Sequence, residues 1–175
     1  MLHDSWHLAE APHDLPLLPI ANDKLRAIIA RRGITTDEEF RRYAAPCIGD
    51  LHDPSTIHGI GEACQRIERA VLDGETILIY GDYDVDGVTS IVLLQTVLRA
   101  IGADAAHVVP HRLVDGYGLK TSVIDRVLVE RDVKLIITVD CGITSVDPVR
   151  QAIERGIDVI VTDHHLPPEL LPAST

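Results

Sequence analysis

Residues 77–90 read ILIYGDYDVDGVTS, an apolar run followed by aspartate at three alternate positions and then by glycine. The apolar run has the length and β-branched composition of a buried strand. Like charges at such close spacing repel one another unless a positive group lies among them, and a metal ion is the natural candidate. The stretch therefore predicts a metal site directly after a buried strand, with these carboxylates as ligands: Asp82, Asp84 and Asp86.

The second half of the chain alternates between two kinds of segment. Four short apolar runs have the composition of buried strands, at 76–80, 105–110, 134–139 and 157–161. Helical stretches lie between them, at about 88–101, 121–131 and 145–155. Strands that alternate with helices form βαβ units, so the pattern predicts an α/β fold with a mainly parallel sheet and helices on both faces.

The first part of the chain is expected to be irregular and then helical. Residues 1 to about 20 are rich in proline. Helices are predicted at 22–33, 35–43 and 59–73, the second beginning with a Thr-x-x-Glu capping box. A polar, proline-containing link occupies 50–56. We therefore expect a small N-terminal helical segment, 1–54, ahead of the main domain, 55–175.

Composition restricts the class of protein. The net charge of −11 argues against nonspecific nucleic-acid binding, unless metal ions neutralise part of it. Aromatic residues make up 3% of the chain, too few for a broad base-stacking platform. The cysteines show no CxxC spacing, and there is no signal-peptide pattern or transmembrane-length apolar run. A cytoplasmic protein without membrane association is the default expectation.

Polar, titratable or glycine-rich residues follow each predicted strand. In parallel sheets these positions meet at one edge, where ligands bind. The four loops read 81-GDYDVDG-87, 111-HRLVDGYG-118, 140-DCG-142 and 163-DHH-165. Their carboxylates and imidazoles suit Mn²⁺, Fe²⁺ or Zn²⁺, and the dominance of oxygen ligands favours Mn²⁺ or Mg²⁺.

Each of these loops also has a simpler interpretation. One aspartate after a strand often caps the next helix, although three in five residues exceed that need. The D-x-D-x-D-G pattern opens an EF-hand loop, but Leu93 stands where a bidentate glutamate is required. Gly116 and Gly118 could form a flexible turn or let backbone amides approach an anion. Cys141 is interpreted as a small buried filler. GxGxxG and P-loop patterns are absent.

These motifs resemble those of the DHH phosphoesterase superfamily and, within it, the RecJ-type single-strand-specific DNA exonucleases. The resemblance spans nearly the whole chain, from Trp6 onward. Four segments carry it, 79-IYGDYDVDGVTS-90, 109-VPHRLVDGYGL-119, 138-TVDCG-142 and 163-DHHLP-167.

The resemblance implies a two-metal phosphodiesterase, with two Mn²⁺ or Mg²⁺ ions about 3.5–4 Å apart around the scissile phosphate. Asp84 and Asp86 would each hold one ion and Asp140 would bridge both. His164 and Asp82 would be further ligands. The catalytic residues would be Asp140 and a histidine that faces the phosphate, His165. The implied substrate-binding residues are Ser90, His111, Arg112, Gly116, Tyr117 and Gly118.

The implied activity is degradation of single-stranded DNA from the 5′ end to mononucleotides, in DNA repair and recombination. A single-strand-binding protein and a helicase are the expected partners. The chain stops shortly after the DHH motif, so we expect part of a longer enzyme, with an incomplete second metal site and little activity alone. Two alternatives remain open within the superfamily: a small-substrate phosphoesterase and a catalytically silent scaffold.

Overall fold

The computed structural model describes residues 16–174, and the first fifteen residues of the predicted irregular stretch lie outside this range. The chain divides into two compact units, one ending at Asp53 and the other beginning at Pro54. The predicted boundary, between residues 54 and 55, lies one residue further along. Within residues 16–174, no helix combines the length and the apolar composition needed to cross a membrane.

In residues 16–53, the first unit has two helices, each of which begins directly after a capping residue. Helix α1 (Asp23–Ala30) starts after Asn22, whose side chain accepts hydrogen bonds from two backbone amides of the first turn. Helix α2 (Asp37–Ala44) starts with the predicted capping box, in which Thr36 and Glu39 exchange side-chain and backbone hydrogen bonds. Such caps satisfy amides that have no partner inside the helix. A short 3₁₀ turn follows at Ile48–Asp50.

The second unit is the predicted α/β domain. A 3₁₀ turn at Pro54–Thr56 leads into four strands and four helices. In chain order these are α3 (Ile60–Leu72), β1 (Thr76–Gly81), α4 (Val85–Ala100), β2 (Asp104–Val108), α5 (Thr121–Leu128), β3 (Val133–Val139), α6 (Val146–Glu154) and β4 (Asp158–Thr162). All pairings are parallel, in the order β2-β1-β3-β4, which confirms the predicted mainly parallel sheet.

Strand β1 shows how the sheet is covered on both faces. Leu78 and Tyr80 belong to the core cluster that includes residues of α5 and α6. Ile77 and Ile79 belong to the opposite cluster, with residues of α3 and α4. Successive strand residues point to opposite faces, so a continuous apolar run is what a doubly covered strand requires. The prediction of helices on both faces is confirmed.

The strand order places a topological switch at the centre of the sheet. From β1 the chain moves to β2 on one side, and then crosses to β3 on the other. Loops that leave neighbouring strands in opposite directions open a crevice at the carboxyl edge, where ligands bind in open α/β sheets. Asp82 and Asp140 follow β1 and β3 directly, so both flank this crevice.

Helix α4 begins three residues earlier than the sequence pattern predicted. Its N-cap is Asp84, whose Oδ1 accepts a hydrogen bond from the amide of Gly87 at 3.1 Å. The prediction was wrong because the aspartate pattern hid the helix start. A Cβ at Gly87 would lie 2.4 Å from the carbonyl oxygen of Asp82. Only glycine lets the first turn of α4 approach the end of β1 so closely.

We expect Gly87→Ala to lower the free energy of unfolding by about 1–3 kcal/mol, because the added methyl group would overpack a site that has no room for it. Gly61→Ala is the matched control, since Gly61 also lies in the first turn of a helix but has open space around its Cβ position. This control is expected to be neutral or stabilising by up to about 1 kcal/mol. Urea denaturation of both variants measures the difference, and equal effects would contradict the role of the close approach.

Candidate metal centre

Three carboxylates converge where β1 and β3 end. Oxygen atoms of Asp82, Asp84 and Asp140 all lie within 4.8 Å of one another. Asp82 is fixed by its place directly after β1, Asp84 by its place as N-cap of α4, and Asp140 by its place directly after β3. The amide of Asp140 also donates to the carbonyl of Thr162, which ties this turn to the end of β4. The predicted convergence of Asp82, Asp84 and Asp140 is therefore present in the structure.

The backbone at Asp140 is left-handed, with φ of 61°. Among residues other than glycine, aspartate and asparagine tolerate this conformation best. Gly142 follows with φ of 112°, and a Cβ there would lie 2.7 Å from the Oγ1 of Thr138. The short segment 140-DCG-142 therefore has a conformation that few other sequences could adopt, and it directs the carboxylate of Asp140 into the crevice.

A second group of ligand atoms shares Asp140 with the first. Atoms of Asp140, His164 and His165 lie within 4.8 Å of one another. The Nε2 of His164 is 2.9 Å from the Oδ1 of Asp140. Asp140 is thus common to a carboxylate group and a carboxylate–imidazole group. This arrangement can hold two cations with one bridging carboxylate.

The electrostatics of the crevice favour a cation. Burial raises the pKa of Asp140, and the neighbouring charge of Asp84 raises it further. The pKa of Asp84 is lowered, chiefly by the amide of Gly87. The Oδ1 of Asp82 is buried and, within the described part of the chain, has no hydrogen-bond partner. A buried carboxylate oxygen without a partner is costly, and a bound cation would satisfy it.

The donor set fits a hard or borderline divalent ion. It consists of carboxylate oxygens and imidazole nitrogens, which suit Mn²⁺ or Mg²⁺ better than a thiolate-seeking metal. Cys141 lies next to Asp140 in sequence, but its side chain is buried and burial raises the pKa of its thiol to about 12. The structure thus agrees with the interpretation of Cys141 as a small buried filler.

Asp86 and Ser90 lie on α4, beside these groups. They line a cleft of about 350 Å³ together with Thr89, Asp140, Thr162, Asp163 and His164. Asp86 is in the first turn of the helix and belongs to neither group of converging ligand atoms. Ser90 was expected at the helix start; it lies instead in the second turn, because α4 begins at Val85.

The loop after β2 brings further predicted residues to the crevice. The guanidinium carbon of Arg112 lies 5.0 Å from the ring centroid of Tyr83, so this cation stacks on the aspartate loop. Gly116 and Gly118 have φ of 75° and 83°, and the residue between them, Tyr117, reaches the DHH loop. The hydroxyl of Tyr117 is 3.2 Å from the Nδ1 of a histidine there.

That histidine is His165, and Asp163 contacts the same ring nitrogen. Asp163 Oδ1 lies 2.7 Å from the Nδ1 of His165, and Oδ2 accepts from the amide of Ile143. The hydrogen bond to Asp163 raises the pKa of His165. Burial opposes ionisation of Asp163, but the hydrogen bonds from Ile143 and His165 outweigh it and lower its pKa. Sequence reasoning gave Asp163 no role of its own.

The remaining predicted residue, His111, contributes its backbone to the loop. Its amide donates to Asp115 Oδ2 at 2.7 Å, and two nitrogens of Arg126 pair with the same carboxylate at 2.9 Å. The side chain of Asp115 is 3% exposed. Asp115 therefore anchors the loop that carries Tyr117 to helix α5. No pattern in the sequence identified the pair of Asp115 and Arg126, because the two residues are eleven positions apart.

Comparison with known proteins agrees with this geometry. Residues 76–175 match the family model described as DHH family, N-terminal domain. The match includes all four strands and every converging carboxylate and imidazole. The chain therefore belongs to the DHH family.

Curated relatives with the name single-stranded-DNA-specific exonuclease RecJ are similar over most of this chain. The protein from Bacillus subtilis (strain 168) is 40% identical over 164 residues, which is 93% of this chain and 20% of the relative. The protein from Dickeya dadantii (strain 3937) is 40% identical over 166 residues, or 94% of this chain and 27% of the relative. The chain thus spans less than a third of these relatives.

Solved structures show the same fold. A crystal structure of exonuclease RecJ bound to manganese superposes with a TM-score of 0.63 at 41% identity, covering 67% of this chain and 30% of that one. RecJ from Thermus thermophilus in complex with Mn²⁺ gives a TM-score of 0.62 at 32% identity, covering 83% of this chain and 19% of that one.

We expect Asp115→Asn to lower stability in a pH-dependent way. Hydrogen bonds from Arg126 hold the pKa of Asp115 below its ordinary value. A lowered folded-state pKa contributes stability above the unfolded value of about 3.9, and this stability is lost as pH falls through the folded-state pKa. The difference between wild type and variant should therefore be largest near neutral pH and shrink below about pH 4.

Urea denaturation between neutral and acidic pH measures this difference. The control is Asp132→Asn, because the side chain of Asp132 is 83% exposed and pairs only with Lys134 among the described residues. Exposed pairs of this kind contribute little. A difference for Asp115→Asn that does not change with pH would contradict the expected linkage.

Proposed function

We propose that this chain carries the metal centre of an exonuclease that degrades single-stranded DNA from its 5′ end to mononucleotides. The observation that carries the proposal is the convergence of Asp82, Asp84 and Asp140, with a buried oxygen of Asp82 left without a partner among the described residues. The name of the similar proteins, single-stranded-DNA-specific exonuclease, supports the choice of substrate.

Two Mn²⁺ or Mg²⁺ ions are the proposed cofactors. The manganese present in similar structures supports this choice, as does the oxygen-rich donor set. Asp140 would lie between the two ions, because it belongs to both groups of ligand atoms. The other proposed ligands are Asp82, Asp84, Asp86 and His164. When bound, the ions would neutralise charge on the scissile phosphate and lower the pKa of water.

Residues of this chain would hold the DNA around that centre. His165, oriented by Asp163, would face the phosphate and stabilise the negative charge that develops on it. Arg112, which lies over Tyr83 in the aspartate loop, would contact a neighbouring phosphate. The backbone at Gly116 and Gly118 would donate to phosphate oxygens. Ser90, His111 and Tyr117 complete the proposed substrate contacts.

Binding of polyanionic DNA is compatible with the net charge of −11 under this proposal. Divalent ions would offset the aspartates at the crevice, so the local field at the phosphate differs from the field of the whole chain. A role in DNA repair and recombination is proposed from the family resemblance alone, and a cytoplasmic location from the cysteine pattern of the sequence. A single-strand-binding protein and a helicase are proposed as partners from the family resemblance.

Asp140→Asn tests the metal centre. We expect this variant to lose Mn²⁺ affinity by more than about 100-fold, since even partners outside the coordination shell change affinity by 10–100-fold. Asparagine also tolerates the left-handed backbone, so the fold is expected to persist. Without metal the variant should be no less stable than wild type, because one of three converging like charges is removed.

Isothermal titration calorimetry with Mn²⁺ measures the affinity. Thermal denaturation in the presence of a chelator, followed by circular dichroism, measures the stability of the metal-free protein. Asp132→Asn is the control, since it removes an exposed carboxylate near the opposite end of β3. Wild-type affinity in Asp140→Asn would contradict the assignment of Asp140. Failure of the wild-type chain to bind Mn²⁺ would contradict the proposed function.

The nuclease activity is tested with strands labelled at either end. We expect Mn²⁺-dependent release of mononucleotides from the 5′ end of single strands, faster than from duplexes, and no release by Asp140→Asn. The rate should be low, because this chain spans less than a third of its RecJ relatives and little activity is expected of it alone. Hydrolysis of dinucleotides without action on longer strands would support a small-substrate phosphoesterase instead. Hydrolysis as fast as that of a whole RecJ relative would contradict the expectation of little activity for this chain alone. Mn²⁺ binding with no hydrolysis of any substrate would favour a silent scaffold.

A further inference from the structure

Tyr80 ties the strand that leads to the metal centre to the loop opposite it. Its side chain is fully buried at the end of β1, two residues before Asp82. The hydroxyl donates to the carbonyl of Gly118 at 3.1 Å and accepts from the amide of Lys120 at 3.3 Å. Phenylalanine would fill the same apolar space. The hydroxyl is therefore not needed to fill the core, and its role is to hydrogen-bond the loop at Gly118 and Lys120.

The loop segment that Tyr80 holds is also fixed by its own core residue. Leu119, between the two hydrogen-bonded residues, is 2% exposed and belongs to the same core cluster as Tyr80. Burial raises the pKa of Tyr80, so its hydroxyl stays protonated and able to donate. Residues 118–120 are thereby fixed relative to β1 through two hydrogen bonds and one buried side chain.

The residue immediately before this segment contacts His165. The rings of Tyr117 and His165 meet edge to face, with centroids 5.7 Å apart. The hydroxyl of Tyr117 is 3.2 Å from the same Nδ1 that lies 2.7 Å from Asp163. With the Nδ1 proton directed to the carboxylate, the tyrosine oxygen is a second acceptor for it. Two contacts on one nitrogen set the plane of the imidazole.

We propose that Tyr80 is a positioning residue for His165. Its hydroxyl holds Gly118 and Lys120, and this keeps Tyr117 against the imidazole. The inference rests on the proposed function, in which His165 faces the phosphate. The other anchor of the loop, Asp115, lies two residues from Tyr117, whereas the carbonyl that Tyr80 holds belongs to Gly118, the residue next to Tyr117. Tyr80 is thus the closer constraint.

The test follows the ring nitrogens of His165 by NMR in the 175-residue chain, with ¹⁵N-labelled histidine and a chelator present. Four proteins are compared with wild type: Tyr80→Phe, Tyr117→Phe, the double variant and the control Tyr43→Phe. Tyr43 is 53% exposed and lies in the first unit. His165→Gln assigns the signals. Thermal denaturation shows that each variant is folded at the measuring temperature.

We expect Tyr117→Phe to shift both ring-nitrogen signals of His165, because one contact of Nδ1 is lost. Tyr80→Phe should shift them in the same direction, and the double variant should match Tyr117→Phe, since Tyr80 acts through Tyr117. The control should leave them unchanged. A role of Tyr80 in stability alone would lower the melting temperature and leave the His165 signals at their wild-type positions.

Three results would overturn the inference. They are wild-type His165 signals in Tyr80→Phe, wild-type His165 signals in Tyr117→Phe, and additive shifts in the double variant. If Tyr80→Phe does not fold, amide hydrogen exchange of the wild-type chain decides. Exchange of the Lys120 amide as slow as that of β1 supports the hydrogen bond to Tyr80, and exchange as fast as in exposed loops overturns it.

The outcome is independent of the test of the proposed function. These spectra are recorded without metal, whereas the proposed function fails if the wild-type chain does not bind Mn²⁺. Altered His165 signals together with absent Mn²⁺ binding would leave the connection from Tyr80 to His165 intact and remove its proposed catalytic purpose. Unaltered His165 signals together with normal Mn²⁺ binding would remove the connection from Tyr80 to His165 and leave the proposed function intact.

Discussion

Repulsion among the carboxylates at the end of β1 and β3 is the constraint on which the rest of the structure depends. Oxygens of Asp82, Asp84 and Asp140 lie within 4.8 Å of one another. Two unit charges 4 Å apart repel by about 1 kcal/mol in water and about 4 kcal/mol at an effective dielectric constant of 20. Without a cation, the folded state holds these groups together against that repulsion, so the surrounding framework has to be stable and stiff.

The parallel sheet supplies that stiffness. Its central strands, β1 and β3, are buried on both faces by two core clusters. Complete burial of each large apolar side chain contributes about 1.5–3 kcal/mol. Many such side chains lie within a few residues of the carboxylates, so the favourable free energy of burial is concentrated where the electrostatic cost arises. A cation would then convert an unfavourable cluster into a favourable one.

A second set of interactions determines how the groups around the carboxylates are oriented. Asp163 orients His165, Asp115 anchors the loop after β2, and the hydroxyl of Tyr80 joins that loop to β1. These residues indicate a division of roles: the converging carboxylates and imidazoles offer ligand atoms, and other buried polar groups in the same motifs set their positions. Buried hydrogen bonds of this kind are directional, so they orient side chains more narrowly than apolar packing does.

Much of this was predictable because the signals are local. The apolar runs, the capping box at Thr36 and the aspartate loop can be read in windows of a few residues, and the position of parallel strand ends then follows from general rules. The start of α4 was misplaced, because an aspartate that caps a helix and one that binds a metal leave the same pattern. Asp84 caps helix α4 and is also placed to bind a metal ion.

The sequence by itself determined the α/β class, the order of its strands along the chain and the residues that gather at one edge of the sheet. Only the tertiary structure decided that β1 and β3 are neighbours, that Asp140 joins two groups of ligand atoms, and that Tyr80 reaches a loop thirty-eight residues away. The physical reason is the separation in sequence over which each interaction acts. Hydrophobic periodicity and helix caps act between residues close in sequence, whereas strand order and buried hydrogen bonds depend on segments that meet only when the chain is packed.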